Sequence, residues 1–90
     1  MSKYAAFNLN QYVLVKLLPQ GFEAMRAYYS YMPPDWQKPL SYYIAQANEA
    51  GYVKFQLWEF MRIFGPLITL ATVGLFETDI LLEQADLKPA

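Results

Sequence analysis

The stretch GYVKFQLWEFMRIFGP, residues 51–66, carries two structural periods in succession and then a stop. Tyr52, Val53, Lys54, Phe55 and Gln56 alternate in character, so an extended chain points Val53 and Phe55 to one side and Lys54 and Gln56 to the other. Leu57 continues the apolar side. The period then changes. Leu57, Phe60, Met61 and Phe64 fall at i, i+3, i+4 and i+7, one stripe of a helix, while Glu59 and Arg62 lie opposite and are spaced for a weak pair. Gly65 suits a left-handed residue just past a helix end, and Pro66 discourages continuation. The spacing predicts a strand running straight into a short helix. Burying the four stripe residues contributes on the order of 6–12 kcal/mol before ordering entropy is subtracted. Trp58 lies off the stripe and is either a cover for the sheet edge or an exposed anchor for a partner.

Working outward towards the N-terminus, YVLVKLL over Tyr12–Leu18 reads as a strand, with Val13, Val15 and Leu17 on one face and Tyr12, Leu14 and Lys16 on a wetter one. Before it, Asn8 and Asn10 are turn formers around Leu9. Pro19, Gln20 and Gly21 are expected to break the strand. A helix over about 22–31 follows, with Phe22, Met25, Tyr29 and Met32 at helical spacing and Glu23 and Arg26 paired on the polar side. Pro33, Pro34 and Pro39 then bracket a loop over 33–40 that holds Asp35, Trp36, Gln37 and Lys38. Trp36 there is either a lid on the core or an exposed anchor. Ser41 is expected to cap a short helix over 42–50, closed by Gly51.

On the C-terminal side, Leu67–Gly74 is ambiguous, because Thr69, Thr72 and Val73 lower helix propensity. Phe76–Glu83 reads as the last strand, with Phe76, Thr78, Ile80 and Leu82 on one side and Glu77, Asp79, Leu81 and Glu83 mostly towards water. Residues 84–90 are expected to be a loosely ordered tail. The elements add up to a small two-layer α+β domain spanning 1–90, with a three-stranded antiparallel or mixed sheet and two to three helices on one face.

Ninety residues suffice for one core and no more. Eight Tyr, six Phe and two Trp let so small a domain bury much area from few positions, and leave tyrosines for the surface, where they suit protein recognition. The net charge is −1 but unevenly spread. Glu77, Asp79, Glu83 and Asp86 face only Lys88 at the C-terminal end. There is no basic patch, which argues against a nucleic-acid footprint. There is no Cys and no His, which removes disulfides, thiol nucleophiles, Cys/His metal sites and imidazole acid–base chemistry together. Glu77 and Asp79, two apart, could share a cation or act as an acid/base pair, but solvated strand charges are the simpler reading. The serines have no imidazole partner, and no phosphate-cradling glycine motif occurs. No catalytic, cofactor-binding or metal-ligating set is therefore expected. The uncharged run Ile63–Phe76 is 14 residues long, shorter than the roughly 20 that span a bilayer, and is broken by Gly65, Pro66 and Gly74. With no apolar signal segment in MSKYAAFNLN, the expectation is a cytoplasmic protein without membrane association.

Taken together, YVLVKLLPQGFEAM and GYVKFQLWEFMRIFGP followed closely by FETDILLE resemble small proteins encoded by tailed bacteriophages. The resemblance covers residues 4–31 and 51–83 and leaves the Pro-rich middle unmatched. That family has no assigned activity, so it carries over no site. It implies a small protein of the infected cell's cytoplasm, acting in host takeover or counter-defence by binding, and inhibiting or modulating, a host or defence protein. The expected contact residues are Trp36, Trp58, Tyr28, Tyr31 and Tyr42, with Glu77 and Asp79 giving electrostatic fit. Two other readings stay open: a homodimer that buries its excess aromatics, and a small single-stranded nucleic-acid binder that stacks bases on tyrosines.

Overall fold

The computed structural model describes residues 3–68 and 74–89. In chain order the elements are β1 (Ala5–Ala6), β2 (Tyr12–Lys16), α1 (Pro19–Tyr28), α2 (Leu40–Ile44), β3 (Tyr52–Gln56), α3 (Leu57–Phe64), β4 (Leu81–Leu82) and β5 (Lys88–Pro89), with single 3-10 turns between several of them. The main sheet is antiparallel, in the order β3-β2-β4, and β1 pairs with β5 in a separate two-stranded ribbon. This is the expected small α+β domain. The part of the ambiguous run that falls at 69–73 lies outside the described residues.

The alternation of YVLVK and YVKFQ sets the register. Val13 pairs with Phe55 and Val15 with Val53, so the inward residues of both strands meet on one face. Those four side chains are essentially sealed from solvent. Phe22 and Met25 from α1, Tyr43 from α2, and Phe60, Ile63 and Phe64 from α3 close over them. Phe55, Phe60, Phe64 and Phe76 form a continuous ring cluster with centroids 5.2–6.0 Å apart. The opposite face carries Tyr12, Leu14, Lys16 and Lys54 and stays wet, as the sequence pattern requires.

Several boundaries differ from expectation. The strand ends before Pro19 as expected, but the helix starts earlier, with Pro19–Gly21 as the first turn of α1. Pro19 occupies the position where a missing N–H costs nothing, and Gly21 lies buried against the Leu75 carbonyl, where no Cβ fits. The helix gives way to a 3-10 turn at Tyr29–Tyr31. α2 starts at Leu40 after Pro39 and ends at Ile44; Ser41 makes no capping bond, and Gly51, at φ +90°, serves the turn into β3. In α3 the buried stripe is Phe60, Ile63 and Phe64, while Met61 is 47% exposed. Gly65 is not left-handed: its φ of −51° and ψ of −49° continue the helical sense into a 3-10 turn, Gly65–Leu67. Phe76–Glu83 is not one strand. Phe76 bridges Leu17, the ladder lapses, and pairing resumes at Leu81–Leu82 in a register shifted by two residues. The expected loose tail is tied down, with a 3-10 turn at Gln84–Asp86 and Lys88 and Pro89 against Ala6 and Ala5.

The junction of β3 and α3 has no loop, and α3 has no side-chain cap. Its first free N–H groups are satisfied from elsewhere: Leu57 donates to the Gln11 carbonyl at 2.9 Å and Trp58 to the Leu9 carbonyl at 3.1 Å. The Asn8–Gln11 turn that offers these carbonyls is itself held by Asn8 Oδ1, which accepts from the Asn10 N–H at 2.8 Å.

Candidate functional site

The site is set by where α1, α2 and the Pro-rich turn meet the outer strand β3. Tyr29 follows the last turn of α1 and stacks flat on Tyr43 of α2, with centroids 5.8 Å apart and planes within 4°. Tyr42 packs edge-on against Tyr43 at 5.3 Å. The Pro-rich segment is ordered rather than slack. Pro34–Trp36 form a 3-10 turn, and the Gln37 amide donates to the carbonyls of Ser30 and Met32 at 2.9 and 2.8 Å. That clamp holds Trp36 over the end of α1 with 69% of its surface in solvent.

Between these parts runs a cleft of about 240 Å³ lined by aromatic and methionine side chains, with Lys38, Lys54 and Glu59 at its polar margins. The volume lies below that of a cleft for a drug-sized ligand and suits one or two side chains of a partner. Lys38 Nζ lies 5.5 Å from the Tyr42 ring centroid, and Lys54 Nζ lies 4.6 Å from that of Tyr12. Neither lysine takes part in the two ion pairs found among the described residues, Lys16–Glu77 and Arg26–Glu23.

Tyr29 divides this cleft from a second groove of about 210 Å³ that holds Tyr28, Tyr31, Trp58 and Arg62. The Tyr29 hydroxyl donates to Glu59 Oε2 at 3.3 Å. Burial, and then the Glu59 carboxylate beside it, push the Tyr29 phenol well above its ordinary value, and burial raises that of Tyr43 as well. Glu59 therefore pairs with a tyrosine across the helices rather than with Arg62.

The seven expected contact residues are thus dispersed. Trp36 and Tyr42 share the main cleft. Tyr28, Tyr31 and Trp58 share the second groove. Trp58 is also part of the scaffold, because its indole N–H donates to Gln56 Oε1 at 3.1 Å while the Gln56 amide donates to the Asn10 carbonyl at 3.0 Å. Glu77 lies at the Lys16 end of β2, 4.0 Å from the Lys16 ammonium and away from both grooves; Asp79 is exposed nearby in the chain. Sequence reasoning did not single out Tyr29, Tyr43 or Lys38. Helical spacing assigned Tyr29 to the core, and it does pack there, but its hydroxyl edge forms the wall between the grooves. Among the described residues no three carboxylates converge on a common metal-sized point, and no helix is long and apolar enough to cross a membrane. No protein-family model, curated protein or solved structure matches this chain.

Proposed function

We propose that this chain is a non-enzymatic, phage-encoded binding protein that acts in the host cytoplasm by occupying a surface of a host or defence protein and inhibiting or modulating it. The observation that carries the reading is Trp36: a large ring held by an ordered turn, mostly in solvent, at the mouth of a cleft of tyrosines and methionines. Holding an exposed indole in place lowers the entropy lost when a partner covers it, and such rings dominate binding energy at protein interfaces. The lining groups can bind and orient; the hydrogen-bonded pair among them, Tyr29 and Glu59, holds the phenol proton more tightly rather than releasing it for chemistry. The chain has neither Cys nor His to supply a thiol nucleophile or an imidazole base.

The test is affinity capture from bacterial lysate with the wild-type chain and with Trp36→Ala and Tyr42→Ala side by side. A stoichiometric partner is expected on the wild type and lost, or weakened by more than about 2 kcal/mol, on Trp36→Ala. Identical recovery on all three chains, or none at several salt concentrations, contradicts the reading.

A further inference from the structure

β3 is an outer strand, and its hydrogen-bonding parity is fixed by its neighbours. Leu57 donates to the Gln11 carbonyl, which places the odd-numbered residues of β3 in bonded pairs with β2. Tyr52, Lys54 and Gln56 therefore turn their backbone groups to the free edge. Those of Tyr52 are taken by Asn48, whose Oδ1 accepts at 2.9 Å and whose N–H donates at 2.8 Å. The Gln56 carbonyl belongs to the first turn of α3. Among the described residues, the Lys54 N–H and C=O and the Gln56 N–H have no partner. This short open edge lies where the aromatic cleft reaches Lys54 and Phe55.

We propose that the free edge of β3 accepts an extended, acidic segment of a partner protein, which adds a strand opposite Lys54 and places apolar side chains in the cleft beside Tyr29, Trp36 and Tyr43. The proposal deepens the binding reading above and rests on it. The side-chain period of a strand dictates the pattern. A residue directly opposite Lys54 projects to the wet face, beside an ammonium that has no carboxylate partner. Its two neighbours project to the other side, towards the cleft. Lys38 adds a second cation without a carboxylate partner among the described residues at the cleft margin, while Glu59 is engaged by the Tyr29 hydroxyl. The sequence recognised is thus apolar, acidic, apolar. Charge also selects against a second copy of this chain: two β3 edges paired antiparallel about their centres would set Lys54 against Lys54, and directly opposed like charges destabilise a ladder.

The probe is the peptide acetyl-Thr-Phe-Asp-Val-Thr-amide, added to the 15N-labelled full chain, with a lysine-for-aspartate counterpart and a version N-methylated at the aspartate amide. Slowed hydrogen exchange is expected at the Lys54 and Gln56 amides, together with a change in Trp36 fluorescence. The lysine peptide and the Lys54→Glu variant are each expected to bind about fivefold more weakly, the scale of one cross-strand charge pair. The N-methyl peptide is expected to lose the exchange protection. Unchanged exchange at Lys54 and Gln56 with millimolar peptide, or equal binding of the aspartate and lysine peptides, overturns the proposal. So does a free chain that sediments as a dimer with the Lys54 amide already protected. A captured partner that is lost on Trp36→Ala but kept on Lys54→Glu, with no peptide protection, leaves the cleft reading standing and removes strand addition alone.

Discussion

Gly21 and Gly65 show how differently the same residue type can be used. A Cβ at Gly21 would run into the Leu75 carbonyl, whereas at Gly65 it would meet nothing within 4 Å beyond its chain neighbours, although the helical backbone there is disfavoured for a larger residue just before Pro66. Gly21→Ala is expected to cost about 1–3 kcal/mol, as overpacking does. Gly65→Ala is expected to change stability by less than about 1 kcal/mol, the unfolded-state freedom it removes being offset by its Cβ crowding the Pro66 ring. Denaturant melts of both variants check this; a Gly65→Ala as damaging as Gly21→Ala would contradict the open surroundings of Gly65. Tyr29 makes a second residue-scale prediction. Its phenol holds its proton more tightly in the folded chain than the ordinary 10.0 of an unfolded one, through burial and then Glu59. That stabilisation is complete below about pH 10 and is lost as pH rises through the higher folded value. Alkaline melts should therefore decline less steeply for Tyr29→Phe than for the wild type. Equal slopes would contradict the assignment.

At the scale of elements, α3 shows what periodicity can and cannot decide. The i, i+3, i+4, i+7 pattern located the helix, and Phe60 and Phe64 are inside as expected. It put Met61 in the stripe and left out Ile63 because both stripes are equally apolar in sequence. What chose between them was the entry angle, fixed by the Leu9 and Gln11 carbonyls that cap α3 from more than forty positions away in the chain. No local signal carries that. Ile63→Ala is expected to cost about 2–5 kcal/mol and Met61→Ala less than about 1 kcal/mol, read from the same denaturant curves. The reverse order would place the helix one face round from the one described. Pro19 ends β2 as expected, but it also starts α1: proline ends a strand and opens a helix with the same ring, and the packing of Gly21 under Leu75 shows that the helix begins there rather than at Phe22.

At the scale of the whole molecule, the α+β class and both central strands were legible because alternation in YVLVK and YVKFQ admits one buried face. The closing of the chain was not. The bulged return from Phe76 to Leu82 and the pairing of Lys88–Pro89 with Ala5–Ala6 depend on contacts across the full length of the sequence. The candidate site was half legible. Exposed aromatics in a Pro-rich segment pointed to Trp36, and Tyr42 followed, but the joining of that segment to the open edge of β3 is a product of topology. It also separates the acidic residues Glu77 and Asp79 from the aromatic residues with which they were expected to share a contact surface. The measurement that bears most directly on the binding surface is hydrogen exchange of the chain in complex with its captured partner. Protection is predicted in the segments 29–46 and 52–56, with 77–86 unchanged. Protection confined to 77–86, with 29–46 exchanging as in the free chain, would contradict it.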